Sequence, residues 1–72
     1  MNNFIKLHYK LIDEHGNPTT RPIWLNVNHI VKIRQATHSN LTGIYTSDGV
    51  YLEVVESPEE IFNLIYRTHE KI

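Results

Sequence analysis

The sequence predicts an α+β fold that is mainly β: an antiparallel meander sheet of about five strands, with one C-terminal helix packed on one face. Three observations support this prediction. Between residues 4 and 55, apolar residues recur mostly at every second position, which is the period of a half-buried strand. Asp48-Gly49 separates two such runs and is typical of a tight hairpin. The segment Ser57–Glu60, with the sequence SPEE, then has the residue types that begin a helix.

The first three strands are predicted at about residues 4–12, 22–27 and 30–37. In the first strand, Lys6, His8 and Lys10 alternate with apolar neighbours, so one face is apolar and the other cationic or titratable. The turn formers of residues 13–18 predict a loop or a wide hairpin. The segment 26–29 predicts a corner between the second and third strands, and residues 38–40 predict a polar turn after the third.

The fourth and fifth strands are predicted at about residues 41–47 and 50–55, joined by a two-residue type I′ turn at Asp48-Gly49. The helix is predicted at about residues 58–71, with Ser57 as its N-cap and the proline that follows at its first position. Its apolar stripe is predicted to be Ile61, Leu64, Ile65, Thr68 and Ile72, widened by Phe62, Tyr66 and His69.

The composition predicts one small domain spanning residues 1–72, with seven basic and eight acidic residues and no cysteine. The absence of cysteine excludes disulfides and thiolate catalysis. No apolar run approaches the roughly 18 residues of a membrane helix, and the first residues are unlike a signal peptide, so we expect a cytoplasmic protein with no membrane partner. A chain this short buries only about 60% of its surface on folding, so we expect a homo-oligomer, a dimer or higher.

Nothing in the sequence indicates catalysis or a cofactor. The five histidines lie in different predicted elements without the spacing of a zinc site, and the serines have turn or cap roles. His29, at the predicted corner, is the exception: its side chain is expected to cap backbone groups or to project into an interface. We therefore expect no catalytic residue, no metal ligand and no cofactor, and we interpret the protein as a non-enzyme.

The face of the sheet away from the helix is the candidate functional surface. It is predicted to carry Trp24, Tyr45, Tyr51 and Val55 among the cationic or titratable residues Lys6, His8, Lys32 and Arg34. Aromatic residues mixed with cations are typical of protein interfaces and of base-stacking surfaces.

Two functions fit this pattern. The first is a small adaptor or regulatory protein-binding module, with an interface at Trp24, Tyr45, Tyr51 and His29. The alternative is a regulator that binds nucleic acid, either DNA or RNA, with contacts at Lys6, Lys10, Lys32 and Arg34.

Four segments give the chain a family resemblance: FIKL at residues 4–7, NVNHIVKI at 26–33, TSDGVYLEVVES at 46–57 and SPEEIFNLI at 57–65. With these segments the chain resembles the small FlbD-like proteins of the flagellar and swarming-motility group. This resemblance implies a compact sheet and a non-enzymatic cytoplasmic accessory factor without a cofactor. The corner, the hairpin and the helix opening are also similar, more loosely, to LytTR-type DNA-binding domains, which implies the nucleic-acid alternative.

Overall fold

The computed structural model describes residues 3–37 and 39–70. It contains five strands in one antiparallel sheet and one C-terminal helix, which confirms the predicted fold class. The strands are β1 (Phe4–Ile12), β2 (Pro18–Asn26), β3 (Ile30–Gln35), β4 (Thr42–Thr46) and β5 (Tyr51–Val54), and the helix is α1 (Pro58–Glu70). His38 in the predicted turn, Lys71 as the predicted helix end and Ile72 in the predicted stripe lie outside the described residues.

The strand order is β2-β1-β5-β4-β3, so β3, β4 and β5 form a meander that joins the β1–β2 hairpin through β1 and β5. The two edge strands, β2 and β3, follow each other in sequence and are linked only by the 3-10 turn Val27–His29. A flat sheet of five strands spans roughly 19 Å between its edges, whereas the four Cα–Cα steps from Asn26 to Ile30 reach at most about 14 Å. The sheet must therefore curl so that one end of β2 approaches the start of β3.

The β1–β2 hairpin is tighter than the sequence predicted. Asp13 accepts hydrogen bonds from the backbone N–H groups of His15 and Asn17, at 2.9 and 2.8 Å, and Gly16 has a φ of 80°. This turn fixes a continuous register from the Ile12–Pro18 pair onward. Because the turn is so compact, β2 begins at Pro18, four residues before the predicted start.

The β4–β5 hairpin is confirmed, but the predicted two-residue type I′ turn is wrong. That turn needs positive φ at both central residues, and only Gly49 has it, at 86°. The backbone N–H of Gly49 donates to Thr46 O, and the N–H of Thr46 donates to Val50 O. The loop therefore has three residues, Ser47 to Gly49, because Asp48 keeps a negative φ and accepts the Thr46 hydroxyl hydrogen bond instead.

Helix α1 begins with the predicted capping box. The N–H of Ser57 donates to Glu60 Oε1 at 2.9 Å, and the N–H of Glu60 donates to Ser57 Oγ at 3.1 Å. Ile61 is fully buried, whereas Phe62 is 56% and Tyr66 is 65% exposed. The expected widening of the apolar stripe by these two aromatic residues is thus wrong, because the helix turns only the Ile61 side toward the sheet.

The hydrophobic core lies between the helix and the inner face of the sheet, the face that carries the buried side chains. Its buried hydrophobic members are Ile5, Leu7, Ile44, Val54 and Ile61. The opposite, outer face carries the alternate positions, as the register of β1 with β2 and of β3 with β4 and β5 shows. The core and the helix together position this outer face toward solvent.

Candidate binding surface

The outer face brings together residues from four strands. Lys32 pairs with Tyr45 across β3 and β4, Tyr45 pairs with Tyr51 across β4 and β5, and Arg34 pairs with Gly43. Lys10 of β1 lines a cavity of about 420 Å³ together with Tyr51 and Glu53. The name tyrosine surface is used below for one set of residues: Lys10, Lys32, Arg34, Tyr45, Tyr51 and Glu53.

Two tyrosine rings form the centre of the tyrosine surface. The ring centroids of Tyr45 and Tyr51 lie 4.7 Å apart, with the planes tilted by 46°. Tyr51 lies across Gly43 so closely that a Cβ at that position would meet the tyrosine Cε1 and Oη atoms at 2.7 Å. Tyr51 Oη also donates a 2.9 Å hydrogen bond to Glu53 Oε2, and this bond raises the pKa of Tyr51 above its ordinary 10.0. Three contacts therefore fix a ring that is still 44% exposed.

Cations surround the two rings. Lys32 Nζ lies 5.1 Å from the centroid of the Tyr45 ring, within the range of a cation–π contact. Arg34 lines a second cavity, of about 410 Å³, with both tyrosines. With three cations against the single carboxylate of Glu53, the formal charge of this surface is two positive. The surface can therefore attract an anionic group and offer it an aromatic platform.

Trp24 lies apart from the tyrosine surface. It sits on edge strand β2, is 57% exposed, and has Lys6 Nζ 5.4 Å from its ring centroid. Antiparallel pairing from the Tyr9–Val54 bridge places Tyr51 beside the far end of β1. That end of β1 is six residues from Lys6, which corresponds to about 20 Å along a strand. Among the residues that the sequence grouped as one interface, the structure brings Tyr45 and Tyr51 together and leaves Trp24 at a separate place on the outer face.

His29 lies elsewhere again, beside the β4–β5 hairpin. Its Nδ1 is 2.9 Å from Ser47 Oγ, and its carbonyl accepts a 2.7 Å hydrogen bond from the N–H of Ser47. It also lines a largely apolar cavity of about 600 Å³ that includes Ile23, Leu25 and Leu52. This cavity forms where the curled sheet brings β2 toward the hairpin, and the sequence alternation did not predict it.

Sequence reasoning missed two residues here: Glu53, which belongs to the tyrosine surface, and Gly43, which lies beneath the Tyr51 ring. A glycine inside a strand often marks a close approach of another group, so Gly43 carried a signal. Glu53 stood in the predicted strand as one of several exposed acids and had no distinguishing signal.

The comparisons with known proteins add no relative to this picture: no family model matches the chain, and no curated protein or solved structure matches it significantly. Within residues 3–37 and 39–70, no helix has the length and apolar character needed to cross a membrane. Among the side chains that the structure describes, those of residues 3–37 and 39–68, no group of three or more histidines, aspartates or glutamates is arranged to hold a metal ion.

Proposed function

We propose that this protein is a non-enzymatic adaptor or regulatory module that binds another protein through the tyrosine surface. The observation that carries the proposal is the state of Tyr51: its ring is held by Gly43, Tyr45 and Glu53, yet nearly half of it is exposed. Tyrosine and arginine are enriched among the residues that dominate binding energy at protein interfaces. A ring that is already fixed also loses little rotamer entropy when a partner covers it.

The charge of the surface favours a partner segment rich in acidic residues. Lys10, Lys32 and Arg34 come from β1 and β3, on either side of the tyrosines, so carboxylates could meet a cation on both sides of the rings. Such complementary charge speeds encounter and excludes basic partners.

Glu53 favours a protein over a nucleic acid as the partner of the tyrosine surface. Its carboxylate lies within hydrogen-bond distance of Tyr51 Oη, so a base stacked on that ring would bring its phosphates close to a negative charge. The ring pair is also tilted rather than parallel, which leaves no slot between the rings for a base. A polypeptide can place a donor or a cation beside Glu53 and avoid this repulsion.

A selection experiment tests the proposal. Random peptides displayed on phage are selected on the immobilised protein, and the enriched sequences are synthesised and titrated by fluorescence anisotropy. We expect acid-rich peptides, and we expect Tyr51→Ser to weaken their binding roughly tenfold or more, as loss of a central aromatic anchor does. Tyr66→Ser is the matched control, because it makes the same substitution at an even more exposed tyrosine, which lies on the helix. Equal binding by the wild type and Tyr51→Ser would reject the proposal.

Nucleic-acid binding is the second candidate, and the ring–cation contacts favour it. Lys6 lies over Trp24 and Lys32 lies over Tyr45, so each ring carries a cation that could meet the phosphate of a base stacked there. Titration of a single-stranded oligonucleotide at several salt concentrations tests this candidate. The logarithm of the association constant should fall linearly with the logarithm of the salt concentration, with a slope of about −0.7 for each contacted phosphate. Lack of binding at low salt would exclude it.

Self-association through Trp24 is a further part of the proposal. The molecule exposes 5312 Å², whereas a compact monomer of 8.5 kDa exposes about 4,650 Å². The excess of about 660 Å² is surface that a compact monomer of this mass would bury, and it is of the same order as the roughly 800 Å² that each partner contributes to a standard interface. Light scattering after size exclusion should show a dimer or higher oligomer that dissociates in Trp24→Ala. A monomer at every concentration in the wild type would contradict self-association.

A further inference from the structure

Edge strand β3 has backbone groups that could pair with another strand. In the described part of the chain it pairs only with β4. The N–H of Ala36 donates to Leu41 O, so the alternation of an antiparallel ladder turns the backbone groups of Ile33 and Gln35 away from β4. The other edge strand, β2, contains Pro18 and Pro22, which have no N–H to donate. Of the two edges, β3 is therefore the better template for an added strand.

The two sides of the β3 edge differ in chemistry. On the outer side, Lys32 and Arg34 project next to the tyrosines. On the inner side, β3 and α1 enclose an apolar groove of about 290 Å³ whose lining includes Val27, Ile33 and Ile65. Val31 and Phe62 also line the groove and are 67% and 56% exposed. Side chains of an added strand would alternate between a basic side and an apolar side.

A second copy of the chain is a poor occupant of this edge. Antiparallel pairing of β3 with itself keeps residues of one face together, so Lys32 and Arg34 would stand opposite the same two cations of the copy. Like charges directly opposite each other on a sheet are destabilising. The register shift between Ile30 and Lys32 further interrupts a regular ladder. Charged edge residues and bulges of this kind protect natural sheets against edge-to-edge association.

We propose that β3 accepts an extended segment of a partner protein in which acidic residues alternate with apolar ones. The backbone of the segment pairs with the β3 edge as a sixth strand, which is a common mode of peptide recognition. Its acidic side chains meet Lys32 and Arg34, and its apolar side chains enter the groove beside Phe62. This inference rests on the proposed function, since the acidic side chains reach the cations of the tyrosine surface.

A peptide of alternating glutamate and valine, long enough to pair with the six residues of β3, is the probe. Its binding is followed by fluorescence anisotropy and compared with that of four other peptides. Two change the side chains, to lysine–valine and to glutamate–serine, and two are the parent peptide N-methylated on the N–H groups of one edge or of the other. We expect binding by the parent and at least roughly tenfold weaker binding by the lysine and serine peptides. Only one edge of the peptide faces β3. Methylation of that edge should weaken binding to the same extent, because it removes the N–H groups that donate hydrogen bonds to β3.

Protein variants separate the failure of this inference from failure of the proposed function. Arg34→Glu and Arg67→Glu each reverse the charge of one exposed arginine, but only Arg34 lies on β3, whereas Arg67 lies on α1 and does not line the groove. Only Arg34→Glu should therefore abolish binding, and circular dichroism checks that both variants fold. The inference of an added strand would be overturned if binding were unchanged whichever of the two edges is methylated, or if the parent peptide did not bind. The proposed function would still stand if the selected peptides lost affinity for Tyr51→Ser. A wild-type dimer that Arg34→Glu strengthens would identify a second copy as the occupant and also overturn the inference.

Discussion

Replacing Gly43 with alanine should displace the Tyr51 ring and destabilise the protein. In a variant that lacks Tyr51, the same replacement should instead raise the free energy of unfolding. An alanine Cβ would meet the ring at 2.7 Å, whereas ordinary contacts begin at 3.4 Å, so the ring must withdraw by about 0.7 Å. Such a shift disturbs the 2.9 Å hydrogen bond to Glu53 and loosens the packing on Tyr45. Gly43→Ala should therefore lower the free energy of unfolding of the wild type.

In a Tyr51→Ala background the same substitution meets no ring. Gly43 does not have a positive φ, and alanine is more favourable than glycine inside a strand by roughly 0.5–1 kcal/mol, so Gly43→Ala should then stabilise the protein. Urea unfolding of all four chains, followed by far-ultraviolet circular dichroism, measures both differences. If Gly43→Ala has the same sign and size in both backgrounds, the ring does not depend on the glycine and the description of a fixed Tyr51 is wrong.

Two further predictions concern the helix and the β4–β5 hairpin. Ile61→Val should lower the free energy of unfolding by about 0.5–1.5 kcal/mol because Ile61 is fully buried, whereas Phe62→Leu should change it by less than about 0.5 kcal/mol; similar values in urea titrations would mean that another side of the helix packs on the sheet. The Thr46 hydroxyl holds the pKa of Asp48 below its ordinary 3.8, so the stabilisation by this carboxylate is complete above that pH and is lost as the pH falls through the lowered value. The unfolding midpoints of the wild type and Asp48→Asn should accordingly differ at neutral pH and converge in acid, and a constant difference would show that the charge of Asp48 is not responsible.

Local chemistry accounts for the parts of the fold that the sequence predicted. The alternation along β3, β4 and β5 assigned Lys32, Tyr45 and Tyr51 to the outer face because side-chain direction in a strand depends only on position along the chain. The capping box at Ser57 depends on residues within one turn of helix. Both patterns can be read without knowing which strands are neighbours.

The remaining features depend on particular side-chain hydrogen bonds and on the strand order, which the alternation of apolar and polar residues does not specify. The early start of β2 follows from the hydrogen bonds of Asp13, and the negative φ of Asp48 accompanies its bond with Thr46. The separation of Trp24 from Tyr51 follows from the strand order, which places β1 between β2 and β5. No periodicity along the chain specifies that order, so the sequence grouped side chains that share a face without showing how far apart they lie.

The narrow junction between β1 and β5 gives the molecule two locally closed halves. Short connections close the β1–β2 hairpin and the β3–β4–β5 meander, whereas the junction joins residues about 45 positions apart through the Tyr9–Val54 bridge and the hydrogen bonds of His8 with Glu56. Contacts between nearby residues form before distant ones because loop closure costs less entropy. Each half should therefore form its own strand pairs first, and the contacts of the junction should form late in folding.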